Sequence, residues 1–320
     1  MLIDKVIAET KKKKCPCIVG LDPEWDKIPE CYKQGMPEKE VESGVFYSEQ
    51  TCQQSSRAEA VWLWAKDVID AVADIVPVVK PQMAFYEVYG AAGVAVFEKV
   101  VAYAHEKGLI VVDDSKRNDI GNTARAYAFA HLAPEGPIKA DFLTVSPFLG
   151  TDSIQPFIET AIENDRGIFV LVKTSNPGSI EISEARNTAG EKISDWLANV
   201  VHTAGNQVIG KSGYSAIGAV VGATFPEEAK HLRNIMKNNY FLVPGFGAQG
   251  GRAEDIVSCF NEDGLGALVS SSRGILYHYE KAAEYDGSRE AYRAIVQAQT
   301  QKMQREVYDV LKASCGEMEY

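Results

Sequence analysis

The sequence predicts an α/β protein closed as a single (β/α)8 barrel, and three observations carry that prediction. Short apolar runs alternate with amphipathic stretches from one end of the chain to the other. Eight such runs can be counted, the number a closed parallel barrel needs. The length of 320 residues suits one barrel of roughly 250 residues with insertions.

The eight candidate strands are Cys15 to Gly20, Val76 to Lys80, Leu109 to Asp113, Asp141 to Ser146, Gly167 to Lys173, Ala216 to Gly222, Tyr240 to Pro244 and Ala267 to Ser271. Helical candidates fill most of the gaps: Ala58 to Ile75, Ala92 to Glu106, Thr123 to Leu132, Ser153 to Asn164, Lys192 to Asn206, Pro226 to Lys237 and Arg252 to Phe260. Each places apolar residues at three-to-four spacing. The C-terminal stretch within 287–315, Arg289 to Ala313, carries Tyr292, Ile295, Val296, Met303, Val307 and Leu311, a stripe able to close the barrel or pack on it. Its heptads are too short and mixed for a coiled coil. Residues 30–57 are polar and weakly periodic, which reads as an insertion between the first strand and its helix. The second irregular stretch, Thr174 to Glu191, follows the fifth run and is long enough for a mobile active-site cover. No internal repeat or two-domain break interrupts 1–320, so the chain is expected to be one domain.

With 33 Lys+Arg against 44 Asp+Glu the formal net charge is −11, which disfavours a general role on nucleic acid or acidic membranes and requires any anionic ligand to be held by a local site. Cys15, Cys17, Cys31, Cys52, Cys259 and Cys315 form no C-x-x-C pair and show no zinc spacing; free thiols and a reducing cytoplasm are expected. No apolar run approaches the roughly 20 residues of a membrane span, and Met1-Leu2-Ile3-Asp4 lacks the ordered regions of a signal peptide. Lys11 to Lys14 reads either as a solvated helix end favoured by the helix dipole or as a phosphate or partner site. His105, His131, His202, His231 and His278 are scattered without metal-ligand spacing, and most are expected on helix surfaces or interfaces. A G-x-S-x-G elbow and a G-x-G-x-x-G turn after the first strand are both absent.

Chemistry concentrates after the third run, in Asp114-Ser115-Lys116-Arg117-Asn118-Asp119-Ile120-Gly121-Asn122-Thr123. Asp114 and Lys116 lie two residues apart, so an extended chain points both to one face, while Asp119 opens the following helix. Asp113 and Asp114 after branched apolar residues suggest a buried strand delivering acids to a rim. Burying such an array costs too much without a purpose, and barrels place their chemistry at the carboxyl ends of strands. On its own the segment also fits a solvated turn in which Asp119 caps a helix.

The pattern D-x-K-x-x-D-I-G-x-T resembles the signature of the orotidine 5'-phosphate decarboxylases, which make UMP from orotidine 5'-phosphate (OMP). The matching stretches run from Asp22 to Arg273 and thus cover the barrel, and the length resembles the longer, bacterial-type branch of that family. The resemblance implies a (β/α)8, or TIM, barrel that releases carbon dioxide without metal or organic cofactor. It implies Lys80, Asp114, Lys116 and Asp119 as an alternating catalytic tetrad, with Lys80 at the end of the second run. Taken alone, that lysine fits a snorkelling surface residue equally.

By the same resemblance Asp22 corresponds to a ribose-hydroxyl ligand and Thr123 to the residue closing the signature. Asp119 and Thr123 would reach across a homodimer with shared active sites. Ser175 would bridge the pyrimidine and the phosphate loop, and Val221-Gly222-Ala223-Thr224 would leave room for the ligand. Gln249 with Gly250, after the seventh run, and Arg273, after the eighth, occupy the place where such barrels grip phosphate through loop amides and a guanidinium. OMP and UMP are therefore the expected partners, with no nucleic acid and no membrane. Two alternatives stay open: a Mg²⁺-dependent sugar-phosphate decarboxylase or lyase of the same barrel group, and a barrel that binds a nucleotide phosphate without turnover. The first resembles a pattern with an acidic metal ligand where this chain has Lys80, whose ammonium opposes a divalent cation.

Overall fold

The computed structural model describes residues 1–34, 49–245, 253–315 and 318. Eight strands close into one barrel in chain order: β1 (Cys17–Leu21), β2 (Val78–Pro81), β3 (Ile110–Arg117), β4 (Phe142–Val145), β5 (Gly167–Lys173), β6 (Ser215–Val221), β7 (Asn239–Val243) and β8 (Ala267–Ser271). Every neighbouring pair is parallel, including β1 with β8, so no sheet edge remains. The helices are α1 (Leu2–Lys13), α2 (Glu49–Val72), α3 (Ala84–Glu87), α4 (Gly90–Glu106), α5 (Gly121–Leu132), α6 (Thr151–Glu163), α7 (Ser179–Ser183), α8 (Ile193–Gly205), α9 (Pro226–Ile235), α10 (Arg273–Leu276) and α11 (Arg289–Cys315).

Side-chain alternation along each strand sorts the core into two layers. Ile18, Val78, Ile110, Val112, Phe142, Phe169, Tyr240, Leu242 and Leu268 point into the barrel, while Val19, Val79, Val111, Leu143 and Val269 pack beneath the helices. The eight predicted runs therefore become strands that are buried on both faces. Leu2, Ile3, Val6 and Ile7 of α1 join the inner layer. Asp165, in the loop before β5, accepts the Leu2 amide at 2.9 Å, and Asp4 accepts the amides of Lys211 and Ser212, in the loop before β6. α1 thus packs across the amino-terminal end of the barrel, opposite the end where chemistry is expected.

Four expectations need correction. Lys13 is not part of a solvated helix end: its Nζ donates to Ala73 O at 2.7 Å and Val76 O at 2.8 Å, although Lys12 beside it is exposed. The helix predicted from Ala58 already begins at Glu49, so α2 takes in the last part of the segment 30–57, near whose start Glu30–Tyr32 forms a 3-10 turn. Polar opening turns carry no apolar period to read. Ala253–Cys259, within the predicted helix 252–260, is a 3-10 helix, and Ser258 Oγ reaches back three residues to Asp255 O. The cover segment Thr174 to Glu191 is not structureless, since it holds α7 and is tied by Ile193 N to Ala185 O. The long C-terminal helix is present as α11, fixed by a two-pronged contact of Arg289 with the buried Asp67 at 2.8 and 2.9 Å.

Candidate active site

The same alternation that fills the barrel interior aims its last inward positions at a cavity on the carboxyl side. On β1 the parity of Ile18 leads through Gly20 to Asp22; on β2 that of Val78 leads to Lys80; on β3 that of Ile110 and Val112 leads to Asp114 and Lys116; on β4 that of Phe142 leads to Thr144. The stacked rings of Phe142 and Phe169, with centroids 4.9 Å apart, lie in the layer below. The cavity measures about 460 Å³, and Asp22, Lys80, Asp114, Lys116, Ser175 and Arg273 all line it.

Asp114 is the centre. Its Oδ2 accepts Lys80 Nζ at 2.7 Å and Gln82 Nε2 at 3.0 Å, and its Oδ1 accepts Lys116 Nζ at 2.6 Å and Thr144 Oγ1 at 3.0 Å. Burial acts to raise the Asp114 carboxyl, but the charges of Lys80 and Lys116 outweigh it and hold the group far below the usual carboxylate range. Burial likewise opposes the charge on Lys80, and Asp114 with Asp22 overcomes it, so this ammonium is held above its ordinary value. Asp22 behaves oppositely, because burial raises its carboxyl and Lys80 only partly compensates. The result is a fixed Lys–Asp–Lys array in which Lys80 and Asp114 are buried and Lys116 opens to the cavity.

A backbone irregularity makes this array possible. Asp113 pairs with Leu143 and Arg117 with Val145, so residues 114–116 of β3 face only Thr144 on β4. Lys116 adopts φ +48°, a left-handed conformation that costs an L residue roughly 1–3 kcal/mol. Thr144 compensates, since its hydroxyl accepts the Lys116 amide at 2.9 Å while donating to Asp114. This threonine is a site residue that the sequence pattern does not reveal. No local motif marks it; only the register of β4 against a bulged β3 brings it there. Gly20 is equally tied to the site, because a Cβ there would collide with Ser272 Oγ. Gly222, expected to leave room for a ligand, instead approaches Ser175: a Cβ would lie 3.0 Å from its Cα.

The expected site residues divide in three groups. Asp22, Lys80, Asp114, Lys116, Ser175 and Arg273 converge on the cavity. Arg273 opens α10, exposed and without an ion-pair partner among the described residues. Asp119 and Thr123 do not line it: Asp119 Oδ1 accepts the Ile120 amide at 2.8 Å, and Thr123 is exposed in the first turn of α5. Gln249 and Gly250 lie outside the described residues. Asp113 does not reach the rim; its carboxylate turns outward to His131, contrary to the expectation for both residues.

A closed parallel barrel that fixes two ammonium groups around one buried carboxylate, with a guanidinium lining the same cavity, suits an enzyme that works by preorganised charge on an anionic ligand. Comparison with known proteins narrows that class. The family described as orotidine 5'-phosphate decarboxylase / HUMPS matches residues 18–287. A Rhodopirellula baltica orotidine 5'-phosphate decarboxylase is 41% identical over 286 residues, covering 86% of this chain and 90% of that protein. One from Clostridium perfringens is 38% identical over 280 residues, covering 88% and 90%. The structure of Leishmania donovani OMP decarboxylase superposes with a TM-score of 0.70 at 27% identity, covering 97% of this chain and 98% of that one. The chain belongs to the orotidine 5'-phosphate decarboxylase family.

Proposed function

We propose that this enzyme, a carboxy-lyase by its family, converts OMP to UMP and carbon dioxide through the Lys80–Asp114–Lys116 array, the last step of UMP synthesis. The observation that carries the reading is the 2.6 Å contact of Lys116 Nζ with an Asp114 carboxylate that is held ionised. The bond from C6 to the substrate carboxyl breaks, carbon dioxide departs, and the electron pair stays on C6. An ammonium already fixed beside that carbon stabilises the developing charge without the reorganisation water would need. Lys116 then delivers its proton to C6 to give UMP. Asp114 sets the position of both lysines, and Lys80 keeps Asp114 charged beside the departing carboxylate. Asp22 accepts a ribose hydroxyl, Ser175 bridges the pyrimidine and the phosphate loop, and Arg273, with Gln249 and Gly250, holds the phosphate. Grip on that remote group is converted into order at the reacting end.

The second pair of the predicted set, Asp119 and Thr123, is read as serving the site of a second copy in a homodimer. The position of Asp119, half-buried just before α5, and of Thr123, exposed in its first turn, supports this, as do the uncovered apolar side chains Ile120, Phe129 and Phe148 on and around that helix. The reading needs no metal or organic cofactor, because the charges that stabilise C6 are side chains. The Mg²⁺-dependent alternative is disfavoured by the Lys80 ammonium, 2.7 Å from the carboxylate a metal would need. Cys15, Cys17, Cys31, Cys259 and Cys315 are free thiols, and no described helix is long and apolar enough to cross a membrane; the first of these supports a cytoplasmic location.

The test is loss of OMP absorbance with purified protein treated with EDTA, beside Lys116→Ala. Rapid conversion to UMP that falls at least roughly 10³-fold in the variant supports the reading. A magnesium requirement, UMP binding without turnover, or near-normal turnover by the variant overturns it.

A further inference from the structure

The outward-facing half of the β3 bulge carries a second array. Asp113 and Ser115 alternate with Asp114 and Lys116, so they point away from the cavity toward α5. His131, in the last turn of α5, is buried and places Nδ1 2.5 Å from Asp113 Oδ2. Ser115 Oγ donates to the other oxygen of Asp113. Arg117 Nε donates to His131 Nε2 at 3.3 Å, its NH2 pairs with Glu87 of α3 at 2.9 Å, and its guanidinium stands over the Tyr127 ring at 5.6 Å. A guanidinium can only donate, so His131 Nε2 accepts from Arg117 and Nδ1 is the nitrogen that donates to Asp113.

We propose that the Asp113–His131–Arg117 relay is a positioning device for Lys116. It grips the bulge on both sides of the left-handed residue, through Asp113 before it and Arg117 after it, while Thr144 holds the same residue from inside. One ring supplies both contacts, with a donor at Nδ1 and an acceptor at Nε2, so the two ends of the bulge are set at a fixed separation. The relay also ties the bulge to α5, the helix that carries Thr123 at its other end. None of the three side chains lines the cavity, so they act through Lys116 and not on the substrate. The inference rests on the decarboxylase reading above and deepens it.

The experiment compares His131→Leu and His131→Gln with the parent protein, measuring kcat and KM for OMP and counting sites by UMP binding in calorimetry. Leu fills the space and removes both contacts; Gln can donate with its amide and accept with its carbonyl. Expected for His131→Leu is a fall in kcat on the order of 10- to 100-fold per UMP-binding site, with KM within about threefold, and recovery of most of that loss in His131→Gln. A loss of rate that merely follows the loss of UMP-binding sites, or equal damage in both variants, overturns the proposal. Failure of the parent protein to decarboxylate OMP would instead overturn the underlying reading, so the two failures are distinct. If His131→Leu does not fold, Arg117→Met tested against Arg117→Lys carries the same comparison from the other end of the relay.

Discussion

Thr144→Val isolates what the bulge contributes, because valine keeps the shape of threonine and removes only its hydroxyl. The hydroxyl makes two hydrogen bonds at once, donating to Asp114 Oδ1 at 3.0 Å and accepting the Lys116 amide at 2.9 Å. A hydrogen bond to a charged group contributes about 1.5–3 kcal/mol, and an amide left without its acceptor costs about 1–3 kcal/mol when buried. Lys116 is open to the cavity, so water can partly replace the second bond, and the sum falls at about 2–4 kcal/mol. For a chain of this size, at roughly 2 °C per kcal/mol, Tm should drop by roughly 4–8 °C. The functional effect should exceed the structural one. Without Thr144 the left-handed Lys116 relaxes, and displacement of its ammonium by about 1 Å lowers kcat on the order of 100-fold. Differential scanning calorimetry and OMP turnover measure the two effects on one preparation. A variant with unchanged Tm and kcat within twofold of the parent would refute the reasoning, since the bulge would then stand without its inner support.

Two further expectations follow from the cavity and the packing behind it. Arg273→Ala should lower kcat/KM for OMP on the order of 10²-fold or more while leaving Tm nearly unchanged, because the guanidinium is exposed and holds no ion pair with a described residue; an unaltered kcat/KM removes it from phosphate binding. Asp141→Asn tests the pH dependence of folding. Burial acts to raise the Asp141 carboxyl, but contacts with His105, the Val111 amide and Arg166 hold it below its ordinary value. A depressed carboxylate stabilises the fold above the unfolded value of about 4, and that contribution is lost as pH falls through the folded value. The gap in urea midpoint between parent and variant should therefore narrow from pH 5 to pH 3; a constant gap contradicts the assignment.

The barrel and the inward part of the candidate active site are legible in the sequence because strand alternation is local physics. Eight apolar runs become eight strands, and residues two apart on a strand share a face, so the spacing of Asp114 and Lys116 is enough to pair them. The resemblance of D-x-K-x-x-D-I-G-x-T adds Lys80 and Arg273 from distant parts of the chain, and both line the cavity. Other features depend on which elements meet, and no local pattern records that. Thr144 enters the site only because β4 lies against a bulge in β3. His131 is one of five scattered histidines in the sequence, yet the end of α5 buries it against Asp113. Lys13 belongs to a basic run that fits a solvated helix end, yet the packing of α1 directs it at the carbonyls of Ala73 and Val76. Alternation and helical period determine the direction a side chain takes from its own backbone; the partner waiting there is set by closure of the barrel, which brings residues far apart in the chain within 3 Å of each other.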